Sequence, residues 1–158
     1  MCVPRKDCRG FTLIELIASI TIIGILSAVT VPLLTRSTPV YAERGYADGI
    51  AASLRQSRAV ALASGCDVRF TITAVGYNAF QHVAGANNHC AAAGAWSTPV
   101  RRGDGHNLLE TQPTGVTLTA NRVFVFSGAD GTVAGGPLTI QVGPQVITVE
   151  ATGAVQGP

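Results

Sequence analysis

The sequence predicts an α+β protein in which a long N-terminal hydrophobic helix is packed on a C-terminal antiparallel β-sheet domain. Two observations lead to this fold class. First, the twenty residues from Leu16 to Thr35 contain no charged side chain, which is the length of a membrane-spanning helix. Second, after Gly65 the apolar residues change from helical spacing to alternation in short runs, as in strands. A helix followed by several strands gives a sheet that covers one face of the helix.

Composition excludes a disordered protein, and charge gives no support to nonspecific nucleic-acid binding. A chain of 158 residues with 47% hydrophobic residues is long enough for one ordinary domain and is too apolar to be disordered. Three basic residues against Asp7 give the first ten residues a net charge of +2, whereas the rest holds eight arginines and eight carboxylates. Bulk charge therefore does not indicate nonspecific nucleic-acid binding.

The apolar run permits three interpretations: a removable secretory signal, a retained membrane anchor, or a buried core helix. Val40-Tyr41-Ala42 offers small residues for a signal cleavage before Glu43. The run is longer than a usual signal core of roughly 7 to 15 residues. It also exceeds what a small domain usually buries on all sides.

Glu15 distinguishes these interpretations, because it lies inside the apolar run, four residues after Phe11. An unpaired carboxylate in hydrocarbon costs several kcal/mol and therefore implies a partner. Cleavage after Gly10 would create an α-amino group on Phe11 near this carboxylate, and a neighbouring subunit's amine could also neutralise it. Glu15 would then set the register between helices.

The segment Arg9-Gly10-Phe11-Thr12-Leu13-Ile14-Glu15-Leu16 resembles the processing site of type IV pilins and pseudopilins. The resemblance implies that a prepilin peptidase cuts between Gly10 and Phe11 and that Phe11 is then N-methylated. It also implies that Glu15 packs a new subunit against a growing filament. We therefore expect three segments: a leader at 1–10, a transmembrane and assembly helix at 11–38, and a periplasmic domain at 39–158.

The helical pattern continues beyond the apolar run. Pro32 and Pro39 predict a kink or interruption, because proline lacks the backbone donor. From Ala42 to Gly65 an amphipathic helix is predicted, with Gly65 as its C-cap. Its apolar face comprises Ile50, Leu54, Ala61 and Leu62.

Six short alternating or β-rich runs follow, separated by Gly and Pro clusters. They are Asp67–Thr73, Gly76–Val83, Val116–Ala120, Val123–Phe126, Leu138–Val142 and Val146–Val149. Tight turns are predicted at Asp130-Gly131 and at Gly135-Gly136-Pro137. The segment Ala84–Pro113 lacks periodicity, so we expect a long variable loop or loosely structured insertion.

The C-terminal half narrows the resemblance to the GspH/FimT pseudopilin domain. The residues that carry it are Phe124–Thr132, Gly135–Ile140, Val146–Val149 and Thr152-Gly153. A domain of this kind is exported, so Cys66 and Cys90 are expected to form a disulfide in an oxidising compartment, with two free thiols as the alternative. Closing that loop would stabilise the domain by roughly 3 kcal/mol in the chain-entropy model.

No catalytic or cofactor motif is found in the sequence. His82, His89 and Cys90 match no standard zinc spacing. Ser53, Ser57 and Ser64 are interpreted as helix-surface serines without a base. We therefore expect a non-enzyme with neither metal nor cofactor.

DNA binding is an alternative with weaker support. Arg101 and Arg102, together with Arg122, are candidate phosphate contacts because guanidinium groups match phosphate geometry. In DNA-binding members of the FimT branch an arginine-containing motif follows a C-terminal glycine. The corresponding stretch, Gly153-Ala154-Val155-Gln156, has no arginine.

The leading hypothesis is a minor pilin-like subunit of a type IV pilus or a type II secretion pseudopilus. Its implied partners are prepilin peptidase, other pilins or pseudopilins, the inner-membrane assembly platform, and lipid before assembly. It would cross the bacterial inner membrane once, with its C-terminal domain in the periplasm. The alternatives are a FimT-like subunit that captures DNA and a simple membrane-anchored or secreted periplasmic domain.

Overall fold

A computed structural model describes residues 11–82, 90, 94–119 and 121–158, except for the side chains of 29–39. Within these residues the chain forms one long helix and nine short strands, an α+β fold. The elements are α1 Leu13–Ser64, β1 Val68–Thr73, β2 Gly76–His82, β3 Trp96–Pro99, β4 Leu109–Thr111, β5 Leu118–Thr119, β6 Arg122–Phe126, β7 Leu138–Val142, β8 Gln145–Val149 and β9 Val155–Gln156. The α+β class predicted from the sequence is confirmed.

The chain divides into two compact units between Thr38 and Pro39. The first unit contains the N-terminal part of α1. The helix is continuous through Pro32 and Pro39, so the predicted interruption is wrong. A proline removes one backbone hydrogen bond, and the bonds of the neighbouring turns maintain the helix. No helix in the described part of the chain has the length and apolar character needed to cross a membrane.

The second unit contains two antiparallel sheets. The five-stranded sheet has the order β3-β2-β1-β6, and β4 pairs with β2 on the same edge as β3. The four-stranded sheet has the order β5-β7-β8-β9. The register places Val68, Phe70 and Ile72 of β1 on the buried face, as their alternation predicts.

The C-terminal part of α1 and both sheets share one hydrophobic core. From the helix, Ile50, Leu54 and Ala61 are fully buried, which confirms most of the predicted apolar face. Leu62 departs from that prediction, since it is 45% exposed. The helix ends at Ser64, and Gly65 follows with a φ of 66°, the left-handed conformation of a C-cap.

The sequence predicts a long loop or loosely structured insertion at Ala84–Pro113, and this prediction is wrong for the part that the structure describes. It contains β3 and β4, both paired with β2. Between these strands Val100 and Leu108 are buried in the core at 2% and 1% exposure. The Leu108 carbonyl accepts a hydrogen bond from the Ala79 N–H, and the Val100 N–H donates to the Ala79 carbonyl.

Both predicted glycine turns are present. The Gly131 N–H donates to the Ser127 carbonyl at 2.8 Å, and Gly131 has a φ of 70°. Gly135 and Gly136 also have positive φ values, 106° and 80°. These turns lie in the connection from β6 of the five-stranded sheet to β7 of the four-stranded sheet.

Candidate functional site

The described chain begins with a capped helix. Thr12 is the N-cap of α1: its carbonyl accepts hydrogen bonds from the N–H groups of Glu15 and Leu16. Its Oγ1 accepts a further bond from the Glu15 N–H at 3.3 Å. Threonine at the N-cap with glutamate three residues later is the spacing of a capping box. The local sequence therefore starts a helix immediately after Phe11.

Glu15 lies in the first turn of α1, where a carboxylate interacts favourably with the helix dipole. The side chains of Phe11 and Glu15 are both exposed, Phe11 at 75%. Gly10, and with it the predicted cleavage bond, lies outside the described residues. The structure thus places the acid within one helical turn of the residue predicted to become the new N-terminus.

Beyond Glu15, α1 exposes a long apolar surface. The large apolar side chains that are exposed are Leu13, Ile14, Leu16, Ile17, Ile20, Ile22, Ile23, Ile25 and Leu26. Apolar surface of this extent typically marks contact with a membrane or another protein.

The hydroxyl groups of this segment bond to its own backbone. Ser19 Oγ donates to the Glu15 carbonyl at 2.7 Å, and Ser27 Oγ donates to the Ile23 carbonyl at 2.8 Å. Thr21 Oγ1 likewise donates to the Ala18 carbonyl at 2.8 Å. These bonds satisfy polar groups within the helix, so the hydroxyls can enter an apolar environment without an external partner.

Cys66 and Cys90 are joined as a disulfide, with Cα atoms 5.7 Å apart. Cys66 lies two residues after the end of α1 and is buried. Gly128 packs so closely on this corner that a Cβ there would contact the Gly65 and Cys66 backbone. The Gly128 N–H donates to Asp67 Oδ1 at 2.8 Å, which fixes the β6 end against the start of β1.

Comparison with known proteins gives a match to the N-terminal sequence and a match to the fold. A family model described as the prokaryotic N-terminal methylation motif matches residues 5–31, which include Phe11 and Glu15. Among curated proteins, no sequence matches this chain.

The fold is similar to that of the type IV minor pilin FimU of Pseudomonas aeruginosa in two crystal forms. In space group P21 the TM-score is 0.52 at 18% identity, covering 72% of this chain and 86% of that one. In space group P65 the TM-score is 0.50 at 17% identity, covering 72% of this chain and 90% of that one. The chain therefore combines an N-terminal methylation motif with a fold similar to that of a type IV minor pilin. The finer resemblance to the GspH/FimT domain stays a prediction.

Of the residues considered as metal ligands in the sequence, two make other contacts. His82 packs its ring on Trp96, with centroids 3.7 Å apart, and Cys90 is used in the disulfide. His89 lies outside the described residues. Among those that are described, no three metal-ligating side chains come together.

The three arginines predicted as phosphate contacts do not form one cluster. Arg101 and Arg102 belong to a tight loop in which the Arg102 N–H donates to the His106 carbonyl at 2.7 Å. Arg122 begins β6 and pairs with Ile72 of β1. Arg102 forms a salt bridge with Glu110 of β4. Glu110 is separated from Arg122 by β2 and β1, which makes three strand spacings or about 14 Å.

Arg102 is also engaged within the domain. Its Nη2 lies 2.6 Å from Glu110 Oε2 in a salt bridge and 3.4 Å from the Tyr77 hydroxyl. The Glu110 carboxylate raises the pKa of Arg102 further above its ordinary value. Arg101 exposes its side chain, while its carbonyl accepts a hydrogen bond from Gln56 Nε2 of α1 at 3.0 Å. These contacts hold the loop of 101–107 against the domain.

Two of the serines interpreted as surface residues are buried. Ser57 is fully buried and donates to the Ser53 carbonyl at 2.8 Å, while Ser53 is 5% exposed and donates to the Tyr77 hydroxyl at 3.2 Å. Hydroxyls bonded in this way tolerate burial. Ser64, by contrast, is exposed and accepts a hydrogen bond from Gln81 Nε2 at 2.7 Å.

Sequence reasoning also missed two arginines of α1. Arg58 Nε donates to the Gly131 carbonyl at 3.2 Å and Nη2 to the Thr152 carbonyl at 3.1 Å. Arg55 Nη2 donates to the Val155 carbonyl at 3.3 Å. Helical spacing places both arginines only away from the apolar face, because contacts between residues 73 to 100 positions apart have no local sequence signal.

Proposed function

We propose that this protein is a non-enzymatic minor pilin or pseudopilin subunit that is processed by prepilin peptidase and assembled through its N-terminal helix. The observation that carries the proposal is the juxtaposition of a methylation motif at 5–31 with a helix that begins at Leu13 and exposes apolar side chains. The minor pilin fold of the domain agrees with it.

Processing would occur between Gly10 and Phe11, followed by N-methylation of Phe11. The mature amine would then lie beside the capped first turn of α1. Because a helix N-terminus carries partial positive charge, an added ammonium there is unfavourable unless a carboxylate is near. Glu15 supplies that carboxylate, either to its own N-terminus or to that of a neighbouring subunit.

Assembly would bury the exposed apolar side chains of α1. Before assembly they would contact inner-membrane lipid, with the domain of 39–158 in the periplasm. In the filament they would contact the helices of other pilins or pseudopilins, after transfer through the inner-membrane assembly platform. Both environments remove apolar surface from water, at roughly 25 cal/mol per Å².

The parent machine is either a type IV pilus or a type II secretion pseudopilus, since both use this anchor and this kind of domain. DNA capture, the alternative function, would need a phosphate-binding cluster. Arg102 and Arg122 are separated by the width of the sheet, so the arrangement supports a subunit role instead.

The proposal predicts that Glu15→Ala leaves cleavage intact and impairs incorporation into filaments, because the register carboxylate is lost. The measurement is the amount of processed protein in membranes and in sheared filaments, in cells that make the complete assembly machinery. Glu15→Gln is the matched control, since glutamine keeps the capping-box geometry without the charge.

If charge sets the register, both variants are cleaved and both are depleted from filaments. Depletion of the alanine variant alone would assign Glu15 a capping role. Normal incorporation of both variants would refute the register role of Glu15.

A further inference from the structure

A groove lies beside α1 on the domain of residues 39–158. Its helix wall is formed by Arg55, Arg58, Ala59 and Leu62, and its other wall by residues 153–155. The volume is about 360 Å³, which is enough for a side chain and its flanking backbone. The groove is thus polar along the arginines and apolar elsewhere.

The two guanidinium groups are oriented by neutral partners. Arg58 donates to the carbonyls of Gly131 and Thr152, and Arg55 donates to that of Val155. Gly153 makes room for this arrangement: it has a φ of 76°, and a Cβ there would lie 2.8 Å from Arg58 Nε. Carbonyl oxygens fix the direction of a guanidinium but leave its positive charge uncompensated.

The neighbouring carboxylates are committed to other groups. Asp130 Oδ1 accepts hydrogen bonds from the N–H and hydroxyl of Thr132, which lowers the pKa of Asp130. Glu150 Oε1 accepts from Gln156 Nε2 at 3.3 Å. Across the described residues the one salt bridge joins Arg102 to Glu110. The groove therefore contains two arginines one helical turn apart that lack an acidic partner.

We propose that this groove binds a carboxylate side chain from an acidic segment of a partner protein. A guanidinium has five N–H donors, and the bonds to carbonyls use two of them at Arg58 and one at Arg55. The remaining donors of two guanidiniums one turn apart can bind both oxygens of a carboxylate. The walls at Ala59, Leu62 and Val155 would contact the aliphatic part of a glutamate and its neighbours. Binding of an acidic segment in this groove would not require assembly into a filament, so it is a separate function from the subunit role.

Charge favours a short acidic peptide over a nucleic acid. Residues 39–158 contain seven arginines and seven carboxylates, so the domain has no net charge with which to attract a polyanion. A phosphate backbone is held by many basic contacts along its length. The groove offers only Arg55 and Arg58.

The test is a titration of the full chain in uncharged detergent micelles with an oligoglutamate peptide. Arginine Nε–H resonances are followed by NMR in ¹⁵N-arginine-labelled protein. We expect saturable shifts of the Arg55 and Arg58 signals, assigned by substitution. Arg55→Gln should weaken binding at least about tenfold, because it removes one charged contact. Arg44→Gln, an exposed arginine of the same helix, is the matched control and should bind as the parent does.

Three outcomes would overturn the proposal. Absence of shifts at both arginines would mean that they serve only to hold residues 152–155. Shifts with a short DNA oligonucleotide but not with oligoglutamate would assign the groove to nucleic acid. An equal loss in Arg44→Gln and Arg55→Gln would show that the peptide binds to general positive charge.

Discussion

The Tyr77 hydroxyl connects the helix to the sheet edge and to the loop of 101–107. It accepts a hydrogen bond from Ser53 and donates to Glu110 Oε2 at 3.3 Å. Burial raises the pKa of Tyr77, so the group stays protonated over the physiological range. Gly49 lies next to it, since a Cβ there would approach the hydroxyl to 3.5 Å. A buried polar contact thus fixes where β2 and β4 meet α1.

Tyr77→Phe should lower the free energy of unfolding by about 1 to 3 kcal/mol, because it leaves the buried Ser53 hydroxyl without this partner. Arg102→Gln should cost less than about 1 kcal/mol, since the Arg102–Glu110 pair is partly exposed. Urea unfolding of residues 39–158, which contain the whole described core, measures both. Equal losses in the two variants would contradict this ranking.

Tyr46 makes stability depend on pH in the alkaline range. Burial raises its pKa to about 12, with further contributions from Tyr77 and Glu110. In the unfolded chain the pKa is near 10, so the folded state favours the neutral phenol. The stabilisation is present below about pH 10 and is lost as pH rises towards 12.

We therefore expect the urea midpoint to fall between pH 10 and 12, and Tyr46→Phe to reduce that fall. At neutral pH the variant should be at least as stable as the parent. The Tyr46 hydroxyl is buried without a hydrogen-bond partner among the described residues, and its removal leaves no other group unpaired. The pH series of midpoints tests both statements. An unchanged alkaline slope would disprove the assignment to Tyr46.

At the scale of elements, local pattern predicted most strands. Alternation located β1, β2, β6, β7 and β8 because each has enough residues for its buried face to show in the sequence. It failed for β3 and β4, of four and three residues, since pairing with β2 stabilises them. The small residues and glycines around β3 and β4 are typical of loops, so composition does not indicate that this segment contributes to the core.

In the candidate site, too, local sequence pattern predicts only the features that depend on neighbouring residues. The cap of α1 by Thr12 and the position of Glu15 follow from neighbours in sequence. Arg55 and Arg58 bind carbonyls that are far away in the chain, which no spacing rule could place. The prediction that Ser53 and Ser57 lie on the surface is wrong, because a serine bonded inside the protein has the same sequence pattern as one in water.

Leu108→Ala tests whether the 84–113 segment contributes to the core. Leu108 is 1% exposed, and a cavity in its place should cost about 2 to 5 kcal/mol. Leu109, its neighbour, is 59% exposed, so Leu109→Ala should change stability by less than about 0.5 kcal/mol. Thermal and urea unfolding of both variants give the comparison. A small loss at Leu108 would mean that the segment is only loosely attached.

At the level of the whole molecule, the two parts of the chain differ in composition and in proposed role. The segment up to Thr38 exposes mainly apolar side chains where it is described and has its own motif. Residues 39–158 have a hydrophobic core, a disulfide and no net charge. A domain that is neutral overall gains partners through local features, such as the Arg55 and Arg58 groove. The segment up to Thr38 would bind its partners by burying its apolar side chains and through the Glu15 carboxylate.

The proposed processing between Gly10 and Phe11 is tested most directly by determining the mature N-terminus. Intact and N-terminal peptide mass spectrometry of the protein, isolated from membranes of cells with their own prepilin peptidase, measures it. We expect a chain that begins at Phe11 and carries one additional methyl group. A chain that begins at Glu43 would contradict it, because the assembly helix would have been removed. An unprocessed start at Met1 would equally exclude prepilin maturation.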